Sequence, residues 1–274
     1  MNFRSYRDYI EKSKIKKDVD SYNLLTNFEL DIDGKKTKIT LPENYHRLIK
    51  SIREKINLEI KLSNVEHTKG NHALKIFNIL DCKPVIQIGN HFAKELSKKL
   101  YNTEVVVDIV HTYKSINRKT NFKKSSWLWH YDNASPGQIK IMIYLNDVSN
   151  NNGCFQVMTN NDKCYLYQSS KVSPNLDQGA KTRITSEFIN YLNANGYKPY
   201  DIVGPAGTFI VFNQNILHRA TVPTKSPERE VIIFNFRPYY KPVNFHIDKN
   251  FTFGWKNQIT KFVKAYPYKI KYID

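Results

Sequence analysis

The sequence predicts a mainly β chain: an antiparallel sandwich or barrel over about residues 101–240, preceded by a helical N-terminal third. Three observations predict it. Runs of β-branched and apolar residues recur after residue 103, several of them alternating with period two. Gly, Asn and Pro clusters separate these runs: ASPG at 134–137, SNNNG at 149–153 and GPAG at 204–207. Before residue 103 the apolar spacing is helical instead.

In chain order, ENYHRLIKSIREKINLEIK (43–61) sets Leu48, Ile49, Ile52, Ile56 and Ile60 on one helical stripe. HFAKELSKKL (91–100) reads as a shorter helix with cations in its last turn, where the helix dipole favours them. EVVVDIVHTY (104–113) is a strand by its β-branched content. QIKIMIYLNDV (138–148) alternates Ile139, Ile141, Ile143 and Leu145 against Lys140, Met142 and Tyr144. GTFIVFN (207–213) and REVIIFNFRP (229–238) are two further strands, the second closed by Pro238. There is no internal repeat, low-complexity tract or linker. The chain therefore reads as a single domain over 1–274: a helical N-terminal part (1–103), a β core (104–240), and a Tyr- and Lys-rich tail (241–274) packing on that core.

Composition narrows the class. Of 274 residues, 41% are hydrophobic and 13% aromatic, which is globular rather than disordered. No apolar stretch approaches the roughly 20 residues that span a bilayer, and MNFRSYRDYIEKSKIKK lacks a signal-peptide core. Three cysteines without metal-type spacing read as reduced thiols, so a cytoplasmic protein is expected. The formal charge of +17 invites a nucleic-acid partner. Abundant Lys, Asn, Ile and Tyr, however, are what AT-rich coding sequence produces. The charge is also uneven. Residues 109–131 contain no acid and carry Lys114, Arg118, Lys119, Lys123 and Lys124, a basic loop suited to attracting an anionic substrate.

That loop leads into SSWLWHYDNASPG (125–137), where a histidine and an aspartate sit among aromatics. In an extended segment, residues two apart share a face. His130 and Asp132 then point one way, and Trp129 and Tyr131 the other. A second histidine from another strand would complete a 2-His-1-carboxylate triad of the kind that holds non-haem Fe(II) with positions left open. His218, just past the strand GTFIVFN, is the strongest of the eight histidines for this role. Arg229, eleven residues later, opens an apolar strand and offers a bidentate carboxylate partner. Arg219 and Arg237 are the alternative anchors.

The order W-x-W-H-x-D, a strand ending YLNDV, an Asn-Gly turn, G-T-x-x-x-F…H and Arg at plus eleven resembles the phytanoyl-CoA dioxygenase family of Fe(II)/2-oxoglutarate oxygenases. The resemblance covers about residues 104–240. It implies a double-stranded β-helix core, a cupin-like jelly roll, with the metal at its narrow end. It implies His130, Asp132 and His218 as iron ligands and Arg229 as anchor of the distal carboxylate of 2-oxoglutarate. It also implies that 2-oxoglutarate and O₂ become succinate and CO₂ while an unactivated C–H bond is hydroxylated, desaturated or cyclised. Because Asp132 is present, no ligand position is vacated for chloride as in halogenating relatives. Many members follow the Asn-Gly turn with Pro-Gly-Ser-His; NNGCFQVMTNNDK departs from this, so the covering loop differs.

Lys140 and Tyr144 share a strand face and are candidates for contact with 2-oxoglutarate. Asn133, Trp129, Tyr131, His111, Arg118 and Arg237 are candidates for the substrate. The expected partner is a small molecule, anionic or carrier-linked. Two other readings stand beside this one: a nucleic-acid demethylase of the AlkB type, and an inactive basic jelly roll that only binds.

Overall fold

The computed structural model describes residues 25–26, 29–32, 35–68, 72–77, 79–101, 104–116, 125–132, 139–161, 163–165 and 182–239. In chain order the first elements are β1 (Leu25–Thr26), β2 (Glu29–Ile32), β3 (Lys35–Lys38), α1 (Tyr45–Lys61), β4 (Val65–His67) and β5 (Ala73–Ile76). Helix α2 (Lys83–Leu96) and β6 (Glu104–Ser115) follow, then β7 (Ile139–Tyr144), β8 (Phe155–Asn160) and β9 (Lys163–Cys164). The described chain continues through α3 (Ser186–Ala194), β10 (Lys198–Ile202), β11 (Phe209–Asn213), β12 (His218–Ala220) and β13 (Glu230–Tyr239).

Alternation within β7 sorts the molecule into layers. Ile139, Ile141 and Ile143 enter one core, and Met142 and Tyr144 enter another, because successive strand side chains leave opposite faces. The larger sheet has the order β1-β11-β7-β13-β6-β5-β4, and the smaller runs β10-β8-β12 with β9 on β8. The sheets face each other. Met142, Tyr144, Phe212 and Val231 of the larger meet Phe155, Val157 and Ile202 of the smaller in one buried cluster. This is a jelly roll.

The outer face of the larger sheet is covered by helices. Ile49, Ile52 and Ile56 of α1 and Val85, Ile88 and Phe92 of α2 pack on Ile141, Phe209 and Phe234. The stripe predicted for 43–61 is thus the buried one, while Leu58 and Leu62 stay exposed. Glu230 is nearly fully buried and receives Arg53 Nε at 2.9 Å and Lys114 Nζ at 3.0 Å, tying α1 and β6 to β13. On the far side of the smaller sheet, Trp129, Tyr131, Met158 and Leu217 pack with Leu192 of α3.

The structure corrects several expectations. The helix placed at 91–100 starts at Lys83, with Pro84 in its first turn, and closes as a π turn at Ser97–Tyr101. Gly89 and Asn90, poor helix formers, hid its first half, yet both are buried against the core. Sheet is not confined to 101–240: β1 pairs with β11, and β5 with β6. A helix, α3, also interrupts the β region; the Thr185 hydroxyl accepts from Phe188 N at 3.3 Å and caps its start. Strand β13 runs through Pro238, which is tolerated because the ladder to β7 has already ended at Phe236. The tail 241–274 and residues 1–24 lie outside the described residues. No described helix is long and apolar enough to cross a membrane.

Phe92 is fully buried, its ring centroid 5.3 Å from that of Phe209. Phe92→Ala is expected to lower unfolding free energy in urea by about 3–5 kcal/mol, whereas Leu62→Ala at an exposed position should change it by less than about 0.5 kcal/mol.

Candidate active site

Residues 129–132 lie extended between two neighbours. His130 and His218 exchange backbone hydrogen bonds, His130 N to His218 O at 3.0 Å and His218 N to His130 O at 2.9 Å. On the other side Tyr131 N donates to Thr182 O and Ile184 N to Trp129 O. This pairing sets the two imidazoles side by side, ring centroids 4.3 Å apart. Each ring is oriented by its own chain: Nδ1 donates to a carbonyl two residues back, Leu128 O for His130 and Ile216 O for His218, both at 2.8 Å. A carbonyl only accepts, so Nδ1 carries the hydrogen and Nε2 presents its lone pair. Burial pushes both histidines below their ordinary pKa, which keeps them neutral.

Asp132 completes the set. Its Oδ2 lies 3.7 Å from His218 Nε2, and one ligand atom from each of the three residues falls within 4.8 Å of the others. Burial opposes ionisation of Asp132, but the charge and hydrogen bond of Lys140 outweigh it and hold the carboxyl well below the usual range. Lys140 Nζ donates to Asp132 Oδ2 at 2.5 Å. Two neutral imidazoles with free Nε2 lone pairs and one ionised carboxylate fit a facial iron site.

Arg229 lies across the same cavity. It is buried, and among the described residues no carboxylate pairs with it. Its guanidinium meets the neutral Tyr144 hydroxyl and Met142 Sδ, the latter 3.8 Å from Nη1, and its Nε finds no acceptor. Such a guanidinium is destabilising unless an anion joins it, so the donor set fits a dicarboxylate co-substrate as well as a metal. The 149–153 turn positions it: Asn152 O accepts from Arg229 N at 2.9 Å, and Asn152 Nδ2 donates to Pro227 O at 2.8 Å. Gly153 sits at φ +88°, where an added Cβ would press on Thr221 O. Glu230, next in sequence, points to the opposite face and its own cations.

The cavity between the sheets measures about 320 Å³ and contains the triad residues, Lys140 and Arg229 in its walls. Other sequence candidates fall elsewhere. Trp129 and Tyr131 turn to the α3 side by strand parity, with Arg219 stacked 4.5 Å over Trp129, so they are not cavity walls. Tyr144 is fully buried behind Arg229, its hydroxyl donated to Ile202 O at 2.7 Å and accepting from Phe155 N at 3.1 Å. His111 stacks on Tyr113 and is not a wall residue, although burial, then Lys140, pushes its pKa down to about 3. Asn133, Arg118 and the rest of 117–124 lie outside the described residues, as does the side chain of Arg237. Lys114 is engaged by Glu230.

Sequence reasoning missed Thr68, His72, Tyr113 and Ser115, all of which line the cavity. The period-two face of β6 could have revealed Tyr113 and Ser115. Nothing in the sequence points to Thr68 and His72, because it does not show that β4 and β5 join the larger sheet. Trp127 lines the cavity although strand parity would set it with Trp129, because a 3₁₀ turn at Ser125–Trp127 breaks the alternation.

The phytanoyl-CoA dioxygenase (PhyH) family profile matches residues 50–228. L-proline trans-4-hydroxylase of Streptomyces griseoviridis is 23% identical over 140 residues, covering 44% of this chain and 52% of that protein, so the chain spans about half the length of the curated relative it matches. Among solved structures, the epimerase SnoN in complex with Fe3+, alpha ketoglutarate and nogalamycin RO superposes with a TM-score of 0.54 at 9% identity, over 96% of this chain and 94% of SnoN. EvdMO1 superposes with a TM-score of 0.51 at 13% identity, over 82% of this chain and 49% of that one. These two likenesses bear on the fold. The family match, which covers more than half of the sequence and contains all three triad residues, carries the assignment: the chain belongs to the phytanoyl-CoA dioxygenase family of iron- and 2-oxoglutarate-dependent oxygenases.

Proposed function

We propose that this chain is a hydroxylase of a compact, anionic small molecule, using His130, Asp132 and His218 to hold ferrous iron and Arg229 to hold 2-oxoglutarate. The observation that carries the reading is a buried His-Asp-His cluster sharing one cavity with a buried arginine that no described carboxylate neutralises. Bound iron with 2-oxoglutarate and O₂ would supply the oxidising power, 2-oxoglutarate leaving as succinate and CO₂.

The protein's own residues supply position and charge. The Nδ1–carbonyl bonds of both histidines fix the ligand lone pairs. Arg229 takes the distal carboxylate of 2-oxoglutarate in a fork geometry that a lysine would not reproduce. Lys140, beside Asp132, holds one of the carboxylate's oxygens and is placed to contact the metal end of 2-oxoglutarate.

Charge argues for the substrate class. Asp132, Lys140 and Arg229 leave the cavity wall with one excess positive charge. A ferrous ion and dianionic 2-oxoglutarate cancel each other, so that excess persists for the substrate to meet. The cavity, about 320 Å³, is at the small end of the range of about 300–1,000 Å³ for ligand pockets. The L-proline hydroxylase match is consistent with a substrate of that size.

Anaerobic addition of Fe(II) and 2-oxoglutarate should produce a weak visible charge-transfer band. His130→Ala and Asp132→Ala should lose both the band and succinate formation; an unchanged band in either variant sinks the assignment of ligands. Arg229→Ala should raise the 2-oxoglutarate dissociation constant about a hundredfold, the loss of a charge-assisted bidentate contact. Titration of the same band measures it, and a change under threefold would remove Arg229 from the role.

A further inference from the structure

Two sides of the cavity have assigned tasks and the third does not. The triad and Lys140 occupy one. Arg229 occupies another, leaning toward β7 and β8, where Met142 Sδ, Tyr144 and Cys154 surround its guanidinium. The remaining wall is the inner face of β6 with the β4–β5 hairpin, from which Tyr113, Ser115, Thr68 and His72 look into the cavity. Ser115 is only 6% exposed, yet its hydroxyl makes no hydrogen bond among the described residues, and neither does the Tyr113 phenol. Both hydroxyls open into the cavity, and two polar groups left without a protein partner on one cavity wall point to a ligand.

The surroundings of these hydroxyls are rigid. The Thr68 hydroxyl accepts from Ala73 N at 3.2 Å and meets His72 Nδ1 at 3.1 Å, which fixes the imidazole. That ring stands edge-on to Trp127, 5.9 Å between centroids, and closes the side of the wall. Register places Tyr113 opposite Val231 and Ser115 beside Arg229, whose carbonyl accepts Ser115 N at 2.8 Å. Residues paired across adjacent strands share a face, so Ser115 stands next to Arg229 on the cavity wall and Tyr113 lies one residue pair further along it.

We infer that Tyr113 and Ser115 are the substrate-positioning residues of this oxygenase, and that their hydroxyls donate to the acceptor oxygens of a carboxylate-bearing substrate whose body lies against Trp127 and His72. Both groups are hydroxyl donors, and the cavity's excess positive charge selects an anionic acceptor over a neutral one. The inference rests on the oxygenase reading above.

The test uses the full chain loaded anaerobically with Fe(II) and 2-oxoglutarate. The probes are compact carboxylic acids, each beside its amide, with L-proline and L-prolinamide as the first pair. An acid should perturb the charge-transfer band and, with O₂, trigger succinate release, its amide binding at least about tenfold more weakly. Tyr113→Phe and Ser115→Ala should each weaken the acid about tenfold. The substrate-free band and the 2-oxoglutarate constant should not change, which also shows that both variants fold. Acid and amide binding alike, no acid perturbing the band, or variants that weaken 2-oxoglutarate instead would overturn the inference. Absence of the band in the unaltered protein overturns the oxygenase reading itself.

Discussion

The reciprocal backbone pairing of His130 and His218 is the constraint on which the rest of the site depends. Two antiparallel hydrogen bonds bring together chain segments far apart in sequence and place both imidazoles on the inner face of the smaller sheet. Because each Nδ1 is spent on its own backbone, the rings cannot rotate without giving up a buried hydrogen bond. The lone pairs are thus oriented by the fold before any metal arrives. Asp132, two residues beyond His130, inherits the same face from strand geometry.

Charge is distributed by the same alternation. Arg229 and Glu230 are adjacent, yet strand parity sends the guanidinium into the cavity and the carboxylate toward α1 and β6. Glu230 finds two cations outside and anchors the helical layer. Arg229 meets no acid among the described residues. Had the register of β13 slipped by one residue, Glu230 would face the cavity in place of Arg229.

The N-terminal third, which the family profile enters at residue 50, builds part of the site. Strands β4 and β5 extend the larger sheet past β6, and the hairpin they form brings Thr68 and His72 to the cavity. The metal end of the cavity is built by the jelly roll, whereas the opposite wall is assembled from this added hairpin, β6 and the 3₁₀ turn at Trp127.

Much of this was legible in the sequence where geometry is local. The alternation of β7, the stripe of α1, the shared face of His130 and Asp132 and the opposite face of Trp129 and Tyr131 all follow from fixed periodicities. Spacing and residue type were enough to single out His218 and Arg229. The sequence did not disclose contacts whose cause is non-local. Tyr144 shares parity with Lys140 but ends behind Arg229, because the smaller sheet closes over it. Trp127 faces the cavity because a turn intervenes, and His72 does so because its hairpin pairs with β6. The sequence by itself determined which residue types recur at which period, and so the faces of individual strands. Only the tertiary structure decided which faces meet, because sheet pairing and the closing of one sheet over another are settled by burial across the whole chain.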